Sequence, residues 1–142
     1  MSSNVKMKKI QKVTINDLPI LAIFNKRLIE DEKYPNPMNI EQLEERMKNW
    51  LETEYTAYVI KNEDDILGYC LYRDDGEFYY IRHLYIDRQC RREGLATILL
   101  DWMYSNIWTD KKTRLDVLSD NKRAISFYES YGYKTRCLNL EK

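Results

Sequence analysis

Apolar positions Ile10, Val13 and Ile15 alternate with polar ones over residues 8–15, and this predicts a first strand at a sheet edge. Asn16 and Asp17 are then cap residues for a helix carrying Leu18, Leu21, Ala22, Leu28 and Ile29, with Pro19 in its first turn. That helix is expected to fray over residues 30–33, ahead of Pro35 and Pro37. Asn39 opens a second helix with Gln42 in the capping-box position, and Ile40, Leu43, Met47, Trp50 and Leu51 recur at helical spacing. The middle of the chain predicts strands over 55–60 and 66–72, the second interrupted by Gly68, with a turn over 62–65 between them. Asp74-Asp75-Gly76 is a hairpin signal, and residues 78–86 are apolar on both faces, as a central strand covered on both sides would be. A helix over 94–108, a strand over 113–118, and a helix over 121–131 closed by Gly132 in the αL region follow. A last strand is expected over 134–140. The order β-α-α-β-β-β-α-β-α-β predicts an α/β fold of the α+β kind, a mixed sheet with helices on its faces. The one linker-like stretch, Tyr34-Pro35-Asn36-Pro37, is too short to divide domains, so residues 1–142 read as a single domain.

Composition narrows the function classes. With 23 basic and 23 acidic residues the net charge is zero, which argues against a general nucleic-acid binder. No apolar run reaches membrane-spanning length, and residues 1–12 lack the apolar core of a secretory signal. Cys70, Cys90 and Cys137 are too scattered for a disulfide framework or a zinc knuckle. His83 is the one histidine, so no metal site is expected. The chain therefore reads as cytoplasmic and reduced.

Two constellations carry candidate chemistry. Arg88, Arg91, Arg92, Glu93, Gly94, Leu95, Ala96 and Thr97 lie between a strand and a helix start. A glycine-containing turn at a helix N-terminus offers unpaired N–H groups and a positive dipole end, a site for a pyrophosphate. Residues 82–92 carry a local charge of +3. The alternative is a solvated basic loop. In the second constellation, Asn121, Ala124 and Tyr128 fall on one helix face, where a small residue between two hydrogen-bonding ones suits a thin ligand. Here the alternative is that Tyr128 is one more packed aromatic among 12 tyrosines.

In this order and about 25 residues apart, the two resemble the cofactor motifs of the GNAT superfamily of acyl-CoA-dependent N-acetyltransferases. Arg91-x-x-Gly94-x-Ala96 resembles its pyrophosphate loop, and Asn121-x-x-Ala124-x-x-Phe127-Tyr128-x-x-x-Gly132-Tyr133 its second motif. Leu84-Tyr85-Ile86-Asp87 fits the end of the family's central strand. The resemblance spans essentially the whole chain and is specific from about Phe78 to Tyr133.

It implies a mostly antiparallel twisted sheet, splayed at the acetyl-CoA site and flanked by about four helices. It further implies acetyl transfer from acetyl-CoA to a primary amine, by direct attack in a ternary complex. The N–H groups of residues 92–97 would hold the pyrophosphate and the backbone near Ile86 the pantetheine arm. Asn121, Ala124 and Tyr128 would line the same path. The Leu84 N–H would face the thioester oxygen. Tyr128 would be the general acid, since a phenol near ~10 can protonate a thiolate whose conjugate acid lies near ~8.5 in a desolvated site.

For the base, some family members carry a glutamate where this chain has Tyr80. His83, Glu30 and Glu32 are the candidates left, and water relay is another route. Glu30, Asp31, Glu32 and Tyr80 would border the acceptor. Residues 28–54 carry a local charge of −5, which would attract a cationic small amine, or is the solvated face of the second helix. Cys90 lacks a histidine partner nearby in sequence and is not expected to carry an acyl group. A non-catalytic acyl-CoA-binding or partner-docking domain of the same fold is the alternative. Nucleic-acid and membrane partners are not expected, and a homodimer is one option the resemblance leaves open.

Overall fold

The computed structural model describes residues 8–33 and 35–142. Tyr34 of the linker-like stretch and most of the segment searched for a signal sequence (residues 1–7) lie outside them. Among the described residues five strands and four α-helices form: β1 Lys9–Lys12, α1 Leu18–Glu32, α2 Ile40–Glu52, β2 Tyr55–Asn62, β3 Asp65–Asp74, β4 Phe78–Ile86, α3 Leu95–Asn106, β5 Lys112–Leu115 and α4 Lys122–Tyr131. The sheet order is β1-β2-β3-β4-β5, antiparallel except for the parallel β4–β5 pair.

Local chemistry fixes most of these elements. Asn39 and Gln42 exchange the two bonds of a capping box, 2.8 Å from the Gln42 N–H and 2.9 Å from the Asn39 N–H, and so start α2. Asp17 holds the N-cap position of α1 as expected, with Pro19 in the first turn, but its side chain makes no cap bond to the helix. Asp17 turns back to accept from the Thr14 N–H at 2.9 Å, and this closes a 3-10 turn over Ile15–Asp17. The first strand accordingly stops at Lys12, and Ile15 is 70% exposed. At its other end α1 runs to Glu32, with Lys33 in the left-handed region.

Two apolar cores sandwich the sheet. Leu21, Met47, Val59, Tyr69, Leu71 and Tyr85 pack on the α1–α2 side. Ile60, Cys70, Leu99, Leu100, Met103 and Trp108 pack on the α3 side. β4 is an interior strand between β3 and β5, as its two-faced apolar pattern predicts, with Tyr85 in one core and Ile81 and Ile86 in the other; β3 takes the middle of the sheet, where Tyr69 and Leu71 serve one core and Cys70 and Tyr72 the other. The expected interruption is a bulge beside Gly68: the register against β2 jumps from Ile60↔Gly68 to Lys61↔Ile66, while β3 itself runs unbroken through the glycine. A Cβ there would lie 2.3 Å from the Tyr85 carbonyl oxygen and 2.6 Å from Ile86 Cδ1, so glycine allows β3 and β4 to approach.

The expected strand over 134–140 does not form, and Leu138 and Leu140 are 78% and 85% exposed. Alternation alone makes no strand without a ladder partner, and these residues pair with none of the described strands. Gly132 adopts φ 121°, ψ 3°, outside the αL region expected of it, yet still ends α4 by donating to Tyr128 and Glu129 carbonyls, both at 3.1 Å. Among the described residues no helix is long and apolar enough to cross a membrane.

Candidate active site

The site begins where two strands part. β5 pairs with β4 only from Phe78↔Lys112 to Ile81↔Leu115, whereas β4 continues to Ile86. Against β3 the register jumps from Tyr72↔Ile81 to Leu71↔His83, so Arg82 is the extra residue of a β-bulge. Beyond it, the Asp87 N–H donates to the Leu67 carbonyl at 2.8 Å. In an antiparallel ladder the inward-facing groups alternate by residue. Tyr85 and His83 therefore face β3, and Leu84 and Ile86 present their N–H and C=O to the open side. The Ile86 carbonyl indeed accepts from Arg91 Nε at 3.1 Å.

A cleft of about 570 Å³ occupies this gap. Leu84 and Ile86 form one side; Gly94, Leu95, Ala96 and Thr97 border it at the start of α3; Asn121, Ala124 and Tyr128 border it on α4; Asp31 and Glu32 reach it from α1. Residues of both constellations thus meet in one place. The α3 end is shaped by Arg92 and Gly94, both left-handed at φ 72° and 73°. The first intrahelical acceptor, the Gly94 carbonyl, takes the Ile98 N–H at 3.0 Å. The N–H groups of Leu95, Ala96 and Thr97 therefore have no partner within the helix and end at the cleft. Arg92 lines the cleft; Glu93 is exposed outside its lining. Asn121 caps α4, its Oδ1 accepting from the Ala124 N–H at 3.3 Å.

The basic and acidic stretches, separate in sequence, meet through two residues of each, Asp31 and Glu30 with Arg88 and Arg91. Asp31 pairs with Arg91 at 2.7 Å and Arg88 at 2.9 Å, Arg88 also reaches Glu30 at 3.4 Å, and Arg27 holds Asp87 at 2.8 Å. Burial pulls the Asp31 carboxyl upward, but hydrogen bonds from Arg91 and Arg88 hold it below its ordinary range. Arg91 is engaged by Asp31, the Ile86 carbonyl and the Tyr85 ring, 5.4 Å below its guanidinium. Glu30 lies outside the cleft lining. Of the three acidic residues, Glu32 lines the cleft without an ion pair to any described residue, and burial with the Asp31 charge pushes its carboxyl up.

His83 lines the cleft, its Nδ1 2.9 Å from the Tyr69 hydroxyl and its ring edge-on to Trp50. Burial, then Arg82 and Arg46, lower its pKa to about 3, so it is neutral and a weak base at physiological pH. Tyr128 stands half-buried between Phe127 and Tyr133, at ring distances of 5.3 and 5.5 Å. Burial pushes its phenol up, so it keeps its proton. Tyr80 lies outside the cleft lining; its hydroxyl donates to Asp116 at 2.9 Å, and burial and that bond raise its pKa to about 12. Cys90 lines the cleft as a thiol that burial keeps protonated.

Sequence reasoning missed Arg82, Tyr69 and Asp116. Arg82 had a signal, since Arg82-His83 breaks an otherwise apolar run. Tyr69 and Asp116 had none, because their partners His83 and Tyr80 are 14 and 36 residues away.

A half-split sheet with N–H groups aimed into the gap is a site for an extended ligand ending in phosphates. Residues 23–133 match the acetyltransferase (GNAT) family, and the chain belongs to it. Three solved structures share the fold. A possible acetyltransferase from Clostridium difficile 630 is similar at 22% identity and TM-score 0.82, with 96% of this chain and 97% of that one covered. A predicted acetyltransferase with acetyl-CoA, from Clostridium acetobutylicum, is similar at 21% identity and TM-score 0.73, with 96% of each covered. The aminoglycoside N-acetyltransferase AAC(6')-Iy, in complex with CoA, is similar at 11% identity and TM-score 0.75, with 100% and 99% covered. Among curated proteins none matches the sequence.

Proposed function

We propose that this GNAT acetyltransferase moves an acetyl group from acetyl-CoA to a primary amine by direct attack in a ternary complex. One observation carries the reading: the open edge of β4, with the Leu84 and Ile86 backbone groups unpaired by β5, runs between the α3 N-terminus and Tyr128. In this reading the N–H groups of residues 92–97 hold the pyrophosphate. Arg91 steadies the loop through Asp31 and meets the phosphates only if it leaves that carboxylate. Ile86 holds the pantetheine arm, and Asn121 and Ala124 form the thin wall beside it.

The Leu84 N–H polarises the thioester carbonyl. As the amine nitrogen bonds to that carbon, the oxygen takes up the electron pair and Leu84 stabilises the charge. The C–S bond then breaks, and the thiolate takes the Tyr128 proton. Glu32 takes the first proton from the ammonium and so frees the lone pair that attacks; the second, lost from the nitrogen of the adduct, returns through water to restore the Tyr128 phenol. His83 is less suited to that role, because its Nδ1 is engaged with Tyr69 and its basicity is low. The acceptor is a cationic small amine, drawn by Glu32 rather than by a broad acidic patch, because Asp31 and Glu30 face arginines.

The test is release of free CoA thiol from acetyl-CoA with a panel of primary amines, with mass spectrometry of the products. Amine-dependent thiol release with an N-acetyl product is expected. Thiol release without such a product in every case would sink the reading.

A further inference from the structure

Beside the cleft, on the α2 side of the sheet, two guanidinium groups share one ring. Arg46 of α2 sits 4.3 Å from the Trp50 ring centre, and Arg82 of the β4 bulge sits 4.6 Å from it. The bulge produces this arrangement. Without an extra residue, Arg82 and His83 would alternate across the sheet. With it, both reach Trp50 on one side.

These two arginines differ from their neighbours. Arg27, Arg73, Arg88 and Arg91 each pair with a carboxylate. Arg46 and Arg82 pair with none among the described residues. Arg46 donates to Asn25 Oδ1 at 3.2 Å, while its Nε is buried without a partner. Arg82 makes one long bond, 3.4 Å, to the Tyr55 hydroxyl. An arginine held by its face keeps the N–H groups in its plane available, in a fork that matches a carboxylate. Arg82 lines the cleft next to His83, and Glu32 lines it from α1. Two like charges on one indole also repel each other, which an anion between Arg82 and the cleft would offset. Burial and Arg82 disfavour the Arg46 charge, and both arginines disfavour a proton on His83; the local field is positive.

We propose that Arg82 anchors a carboxylate of the acceptor, so that the preferred substrates are amines that also carry a carboxylate, such as amino acids. The carboxylate meets the Arg82 fork, Arg46 adds a second positive charge behind it, and the ammonium end turns toward Glu32. This rests on the acetyltransferase reading and specifies its acceptor.

The test uses the full chain, acetyl-CoA and matched acceptors: amino acids, their amides, and the amines that lack the carboxylate altogether. Charge-assisted hydrogen bonds lead us to expect kcat/KM about 10- to 100-fold higher for the carboxylate than for the amide. In Arg82→Gln this ratio falls toward one, chiefly through the acceptor KM, with the acetyl-CoA KM unchanged. Arg82→Lys, which keeps the charge and loses the fork, falls between. Arg46→Gln shows a smaller loss in the same direction. Equal turnover of carboxylate and amide by the wild-type protein overturns the carboxylate anchor and leaves acetyl transfer standing. An unchanged ratio in Arg82→Gln, with a wild-type preference present, removes Arg82 from the role. If no amine of either kind gives an N-acetyl product, both the transferase reading and the anchor fall together.

Discussion

β3 and the second half of β4 lie side by side and are built from similar residues, mostly tyrosines and aliphatics, yet one is core and the other is site. Gly68, Tyr69, Cys70, Leu71 and Tyr72 of β3 are all buried. They have β2 on one side and β4 on the other, so every backbone group has a ladder and every side chain a core. Residues 83–86 of β4 pair on one side only, because β5 stops opposite Ile81. The same apolar pattern there lines a cleft, and the backbone polar groups of Leu84 and Ile86 turn toward it. What distinguishes the two strands is the length of a third, β5, and one bulge residue. An exposed edge is ordinarily a hazard for a sheet; here it lies inside a cleft between two helices.

The largest effect expected at the open edge comes from the group that would give up a proton there. Tyr128→Phe should lower kcat by about 10²- to 10⁴-fold and leave the acetyl-CoA KM nearly unchanged in steady-state kinetics. Full turnover would return Tyr128 to the class of packed aromatics. Glu32→Gln should cost about 10²-fold in kcat. The pH profile adds a second check. A base works deprotonated, and the folded structure raises the Glu32 carboxyl above its ordinary 4.5. Activity should therefore climb with pH through a point above that value, and the climb should vanish in Glu32→Gln. A rise unchanged in the variant would assign it to another group.

The closed strand should respond in stability instead. Gly68→Ala places a methyl against the Tyr85 carbonyl oxygen, an atom of backbone that cannot swing aside. A loss of about 1–3 kcal/mol is expected in urea unfolding, with added effect on the cleft because Tyr85 and Ile86 must move. A neutral substitution would mean that β3 and β4 separate more easily than their pairing suggests. Asp31→Asn is the smallest change. It removes the carboxylate that ties α1 to Arg88 and Arg91, a part-exposed pair worth about 1 kcal/mol or less. Because the folded state lowers the Asp31 carboxyl, that stability is present above the unfolded pKa and fades as the pH falls through the folded one. The stability curves of the wild type and of the Asp31→Asn variant should therefore converge in acid.

How legible these features were depends on how far apart their partners lie. The capping box of α2 closes between Asn39 and Gln42 and was visible at once, as were the hairpin at Asp74-Asp75-Gly76 and the order of elements up to α4. The two constellations that border the cleft were visible because each is written on a single turn or helix face. The start of α1 shows the limit even at short range: Asp17 is its N-cap residue, as expected, but its side chain binds Thr14 rather than the helix, and composition does not decide between the two. Residues 134–140 have a strand's alternation and no strand to lie against.

The sequence by itself determined the helices, the β4 pattern, the glycine turn ahead of α3, and a Tyr128 face matching a family's second motif. All of these are set by contacts a few residues long. Only the tertiary structure decided that β3 takes the middle of the sheet, that β5 ends opposite Ile81, and that the bulge falls at Arg82. It also decided that Asp31 meets Arg91 across 60 residues of chain, joining two charge stretches that lie apart in the sequence. The physical reason is the same in each case. Ladder partners, ion pairs and burial depend on which surfaces meet, and surfaces distant along the chain meet only after the cores on both faces of the sheet have closed.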